Sequence, residues 1–127
     1  MYNTNTSTKP IPVVGYCRYS TDKQKELSIE AQQRAIIDYC AKNNYTITEW
    51  FIDRGYSGQT DDRPDFQRLV KKIESGKHNF EAIVFHKIDR FSRSVEDSYH
   101  YQEIFESNNV ELKSVEDGNL DDDFVFG

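Results

Sequence analysis

Two uninterrupted apolar runs, residues 11–17 and 82–86, constrain this 127-residue chain more than any other feature. A strand with one face in water alternates apolar and polar residues. A continuous run instead reads as a strand buried on both faces, which needs cover above and below it. The segments around these runs supply that cover. Ser28 can cap a helix with Glu30 in its first turn, where an acid suits the helix dipole. The helix runs to about Lys42, carries Ile29, Ile36, Tyr39 and Cys40 on one face, and ends at Asn43-Asn44. Residues 45–52 are rich in β-branched and aromatic side chains and read as a second strand. A loop over residues 53–63 is punctuated by Gly55 and Gly58. Pro64 opens a second helix, in which Phe66, Leu69, Val70 and Ile73 fall at i, i+3, i+4 and i+7, and Gly76 stops it.

After the run at 82–86 comes a charged loop, residues 87–93. Ser94 with Asp97 makes a capping-box-like start to a third helix, with Tyr101, Ile104 and Phe105 facing inward and Asn108-Asn109 at its end. In the last strand Val110, Leu112 and Ser114 alternate with Glu111, Lys113 and Val115, so it lies nearer an edge. From Glu116 the chain is acidic and loop-like. Strands separated by helices imply right-handed crossovers. The expected fold is therefore a three-layer α/β domain: a mostly parallel sheet of four to five strands with helices on both faces. Residues 1–11 read as a flexible lead-in and 12–127 as one domain.

Composition narrows the function classes. No apolar run approaches the roughly 18 residues of a membrane span, and the polar N-terminus lacks an apolar signal segment. Cys17 and Cys40 form no CxxC and no cluster with histidine, which suits buried thiols in a reducing cytoplasm. Net charge is −6, but residues 95–127 hold 10 acids and one lysine while residues 1–94 hold 15 lysines and arginines against 12 acids. No basic stripe of the kind that gives bulk affinity for nucleic acid is present.

The chemistry-bearing residues gather where the strands end. Open α/β sheets place their ligand crevice at the carboxyl ends of the strands. The first strand ends in Arg18-Tyr19-Ser20, the second leads to Asp53, and the third leads into Asp89, Arg90 and Arg93. Arg63 precedes the second helix. Arginine grips a phosphate through two parallel hydrogen bonds, and four of them beside a hydroxyl could bind a phosphodiester and stabilise a pentacoordinate transition state without a metal or other cofactor. The alternative for each arginine is a surface salt bridge with Asp22, Asp53, Asp61 or Asp89, worth little. A non-catalytic α/β interaction module and a phosphatase-like hydrolase are the competing functional readings. A receiver-like module would need clustered acids where Arg18 and Ser20 stand.

Five motifs occur in order: residues 16–21 (YCRYST), 28–32 (SIEAQ), 53–58 (DRGYSG), Arg63-Pro64 and 87–93 (KIDRFSR). Over about residues 12–115 the chain resembles the catalytic domain of the serine site-specific recombinases, the resolvase/invertase family. The version with Tyr56-Ser57-Gly58 before Arg63-Pro64 is similar to the large serine recombinases and their transposon and phage relatives. The resemblance implies that Ser20 attacks DNA and forms a 5′-phosphoserine link with a free 3′-hydroxyl. It implies that Arg18, Arg90, Arg93 and Arg63 bind the phosphate and that Asp89 protonates the leaving oxygen. Gln24, Asp53 and Lys72 match supporting positions. Covalent storage of bond energy dispenses with a nucleotide cofactor. No motif residue presents itself as the general base for Ser20. Family members continue into a long dimerisation helix and DNA-binding domains. The chain is thus expected to be part of a longer protein that meets double-stranded DNA through those domains and works as a dimer or tetramer, the isolated piece being inactive.

Overall fold

The computed structural model describes residues 9–20, 27–55, 63–87, 95–116 and 118–119. The elements are β1 (Ile11–Ser20), α1 (Ile29–Lys42), β2 (Tyr45–Gly55), α2 (Pro64–Glu74), β3 (Ala82–Phe85), α3 (Val95–Ser107), β4 (Glu111–Ser114) and β5 (Gly118–Asn119). They form one sheet in the order β2-β1-β3-β4-β5, parallel except for the antiparallel β4/β5 pair. The expected α/β sheet with helices on both faces is what the chain builds.

Strand order explains the layers. From β1 the chain steps outward to β2, then returns across β1 to β3 and continues to β4. Right-handed crossovers put helices on opposite faces when the direction of winding reverses. Accordingly α1 packs with Val13, Cys17, Ala82 and Val84 on one face. The opposite face joins α2 and α3 through Val14, Tyr16, Phe51, Phe66, Leu69, Ile83, Phe85 and Phe105. The reversal falls between β1 and β3, the position at which doubly wound sheets open a crevice.

Local chemistry sets the element ends. The Ser28 hydroxyl accepts the Ala31 N–H at 3.1 Å and caps α1. Asn44 and Asn109 close α1 and α3 at φ 60° and 62°, a left-handed conformation that asparagine tolerates better than most residues. Gly15 on β1 has no side chain because Trp50 lies across it: an added Cβ would sit 2.3 Å from Trp50 Cζ3.

The structure departs from the sequence reading in four places. β1 begins at Ile11, whose N–H donates to Asn44 O at 3.0 Å, so the strand includes a residue assigned to the lead-in. β2 runs to Gly55, which puts Asp53 inside a strand rather than in a loop. Lys113 does not alternate out to water. It is buried on β4, with its ammonium 3.0 Å from Glu111. Gly118–Asn119, read as loop, turns back as β5 against Lys113 and Ser114. Glycine and asparagine carry no strand propensity, so this pairing comes from the partner strand and not from the residues themselves.

β2 also contains a bulge. Val13 pairs with Ile47, but Val14 pairs with Glu49, so Thr48 is an extra residue. A one-residue shift exchanges the two faces of a strand. Before the bulge Tyr45 and Ile47 face α1. After it Trp50 and Ile52 do, and Phe51 packs on the α2/α3 side.

Candidate active site

Arg18 and Ser20 occupy the carboxyl end of β1, in register with Asp53 and Gly55 of β2. β3 pairs with β1 only from Val13 to Gly15, so the strands separate beyond that point and Arg18 and Ser20 border the opening. The phenol of Tyr16, one turn of the pleat below Arg18, is buried and donates to Asp53 Oδ2 at 2.8 Å.

Asp53 is the organising group. Its Oδ1 accepts the Asp65 N–H at 2.8 Å and its Oδ2 accepts the Phe66 N–H at 3.0 Å. Arg63 stands at the N-cap of α2 and makes no side-chain cap bond. The Asp53 carboxylate, brought from β2, caps the helix in its place, and a negative charge there suits the positive end of the helix dipole. The contact is reciprocal, since Asp65 Oδ2 accepts the Ile52 N–H at 2.8 Å. Together these bonds lock the start of α2 onto the end of β2.

Arg63 is 3% exposed, and its guanidinium lies 4.2 Å from the centroid of the Phe66 ring. Phe66 in turn packs on Tyr16 at 5.4 Å and edge-on to Tyr101 at 4.8 Å. A planar cation on an aromatic face is a contact that lysine would not reproduce. Burial and the nearby Asp53 charge push the Tyr16 phenol well above its usual pKa, while Arg63 and Arg18 pull the other way. The phenol is therefore a neutral donor at physiological pH.

Gln32 closes the 28–32 motif, but the sequence reading gave it no role. It lies in the buried stripe of α1 between Ile29 and Ile36. Its Oε1 accepts the Arg18 N–H at 3.3 Å, and its Nε2 donates to Arg18 O and Leu27 O, each at 3.0 Å. A polar residue three past Ile29 and four before Ile36 was the available signal.

Lys72 is not brought to the strand ends. It sits nine residues along α2 from Arg63, about 13 Å at the helical rise per residue, and its ammonium is 3.3 Å from Glu49. Glu49 also holds Arg68 at 2.9 Å, and this pair of cations keeps its carboxyl below the usual range. Cys17, beside Arg18, is pushed up to about 12 by burial and is no thiolate nucleophile at neutral pH. Gln24, Asp89, Arg90 and Arg93 lie outside the described residues, as do the tail acids and Phe124 and Phe126. Among the described residues no three His, Cys, Asp or Glu are grouped to hold a metal ion. None of the described helices is long and apolar enough to cross a membrane.

These features define a doubly wound α/β domain with Arg18 at the end of β1 beside its switch point and Arg63 buried at the start of α2. The chain belongs to the family described as the resolvase N-terminal domain, whose model matches residues 13–127. It is 31% identical over 115 residues to the transposon Tn917 resolvase of Enterococcus faecalis, covering 91% of this chain and 54% of the relative. It is similar to the crystal structure of the N-terminal catalytic domain of TP901-1 integrase (30% identity, TM-score 0.71, 84% of this chain and 78% of that one). It is also similar to a resolvase family site-specific recombinase from Streptococcus pneumoniae (33% identity, TM-score 0.75, 85% and 74%). The chain spans about half the length of the curated relatives it matches.

Proposed function

We propose that this chain is the catalytic domain of a serine site-specific recombinase and that Ser20 is its nucleophile. The observation that carries the reading is the placement of Arg18 and Ser20 at the carboxyl end of β1, beside a helix start that Asp53 caps and where Arg63 lies buried on Phe66. Membership of the resolvase N-terminal domain family supports it.

In this reading Ser20 Oγ attacks a DNA phosphorus. A serine–phosphate bond forms and the bond to the 3′-oxygen breaks, with Asp89 giving that oxygen its proton. Arg18, Arg63, Arg90 and Arg93 offset the charge that builds on the phosphoryl oxygens. Gln24 and Asp53 support this set, and Lys72, held by Glu49, takes no part. The DNA ends are rejoined by reversal of the attack after rotation of subunits. The chain then serves as the catalytic part, residues 12–127, of a longer cytoplasmic protein. Other domains of that protein bring double-stranded DNA to an acidic catalytic piece and assemble dimers and tetramers.

The test uses the full-length protein and a duplex selected by binding from a randomised pool, nicked near the cleavage point to trap the intermediate. A nucleotide linked to the peptide containing Ser20, absent from a folded Ser20→Ala variant, is the expected result. An adduct on another residue moves the site. Inorganic phosphate released without an adduct favours a hydrolase, and neither product from DNA-bound protein favours an interaction module.

A further inference from the structure

Gln32 is the one polar residue in the buried stripe of α1, 0% exposed among Ile29, Ile36 and Cys40. An amide in such a position is costly unless all its hydrogen-bonding capacity is used. Here the acceptor oxygen takes the Arg18 N–H, and the two amide hydrogens go to Arg18 O and Leu27 O. Both backbone groups of a single residue are thus held by one side chain.

The sheet explains the need. The β1/β3 ladder stops at Gly15, while β1 stays paired to β2 as far as Ser20. Among the described strands, β1 at Arg18 is laddered to β2 alone, at the point where the crevice opens. A strand with one free side carries unpaired N–H and C=O groups and can bend. Gln32 supplies there the acceptor and the donor that a third strand would have supplied, and the bond to Leu27 O ties the same amide to the start of α1.

We infer that Gln32 is a positioning residue for the nucleophile strand: its carboxamide stands in for the missing β3 ladder at Arg18 and so holds the guanidinium of Arg18 and the course of the chain into Ser20 in the geometry of attack. This rests on the reading of Ser20 as the nucleophile. A misplacement of about 1 Å in a reacting group can cost about 100-fold in rate.

Gln32→Met keeps the volume and the helix propensity and removes all three bonds. In the full-length protein, on the nicked duplex described above, it should fold and bind with an unchanged half-saturating DNA concentration. Its rate of Ser20 adduct formation at saturating DNA should fall about 10- to 100-fold. A folded Gln32→Met protein whose saturated rate stays within about twofold of the parent overturns the inference, as does a variant that loses only DNA affinity. If Gln32→Met does not fold, amide hydrogen exchange in the parent decides. The Arg18 N–H should be protected like the Val14 N–H inside the ladder, and exchange at open-chain speed overturns the inference. A parent that forms no Ser20 adduct fails the reading of function itself and takes this inference with it.

Discussion

At Asp53 three donors meet one carboxylate: the Tyr16 hydroxyl and the N–H groups of Asp65 and Phe66. Asp53→Ala leaves the buried Tyr16 hydroxyl and Phe66 N–H and the half-buried Asp65 N–H without that acceptor and removes the cap of α2. Each such loss costs about 1–3 kcal/mol, with strong overlap between them. We expect about 3 kcal/mol of lost stability, read as a lower urea midpoint at unchanged slope. Asp53→Asn, which retains an acceptor oxygen, should cost about 1 kcal/mol. The sequence placed Asp53 near the strand ends and, by resemblance, among supporting residues. That it caps a helix from a neighbouring strand was not legible, because the Arg63-Pro64 start of α2 offers no capping side chain of its own. Gln32 belongs to the 28–32 motif, but its role was not legible for a related reason: a polar residue in an apolar stripe shows its use only when its partners are known.

Elements were legible where the signal is local. The Phe66, Leu69, Val70 and Ile73 stripe is buried as its spacing demands, and Ser28 caps α1. Both Asn-Asn pairs end helices, with the second asparagine left-handed in each. Asn109 is exposed, so substitution there tests the backbone alone. Asn109→Ala should lower stability by about 1 kcal/mol, because alanine lacks the short polar side chain that lets asparagine adopt that region, while Asn109→Gly, with no Cβ, should be close to neutral. Thermal unfolding of the two variants against the parent checks this. The bulge at Thr48 lay beyond local signals. Residues 45–52 read as a strand, but an apolar pattern that changes parity partway along does not say where the extra residue sits.

Over the whole molecule, burial keeps the two cysteine thiols and the Tyr16 phenol neutral. Burial raises Cys17 from its ordinary value of 9.0 to about 12 and Cys40 to about 11, and it raises Tyr16 as well. A group whose folded pKa is raised contributes stability in full below its unfolded pKa and loses it as pH rises through the folded value. Stability should therefore hold up to about pH 9 and fall steadily toward pH 11 to 12 as the unfolded thiols ionise first. Urea midpoints across that window measure it. Cys17→Ala should flatten the fall, and an unchanged slope in that variant would refute the assignment to Cys17.

Taken by itself, the sequence determined the class of fold and set Arg18, Ser20 and Asp53 toward the carboxyl end of the sheet. Short continuous apolar runs set between helical segments read as strands covered on both sides, and the motifs follow those strands. The tertiary structure alone decided which way the motif residues face. The Thr48 bulge shifts β2 by one residue, so Asp53 meets Tyr16 and α2 instead of α1. The early end of the β1/β3 ladder leaves Arg18 to be held by Gln32. Both depend on register between strands and on contacts distant in sequence, and periodicity within one segment carries no record of either.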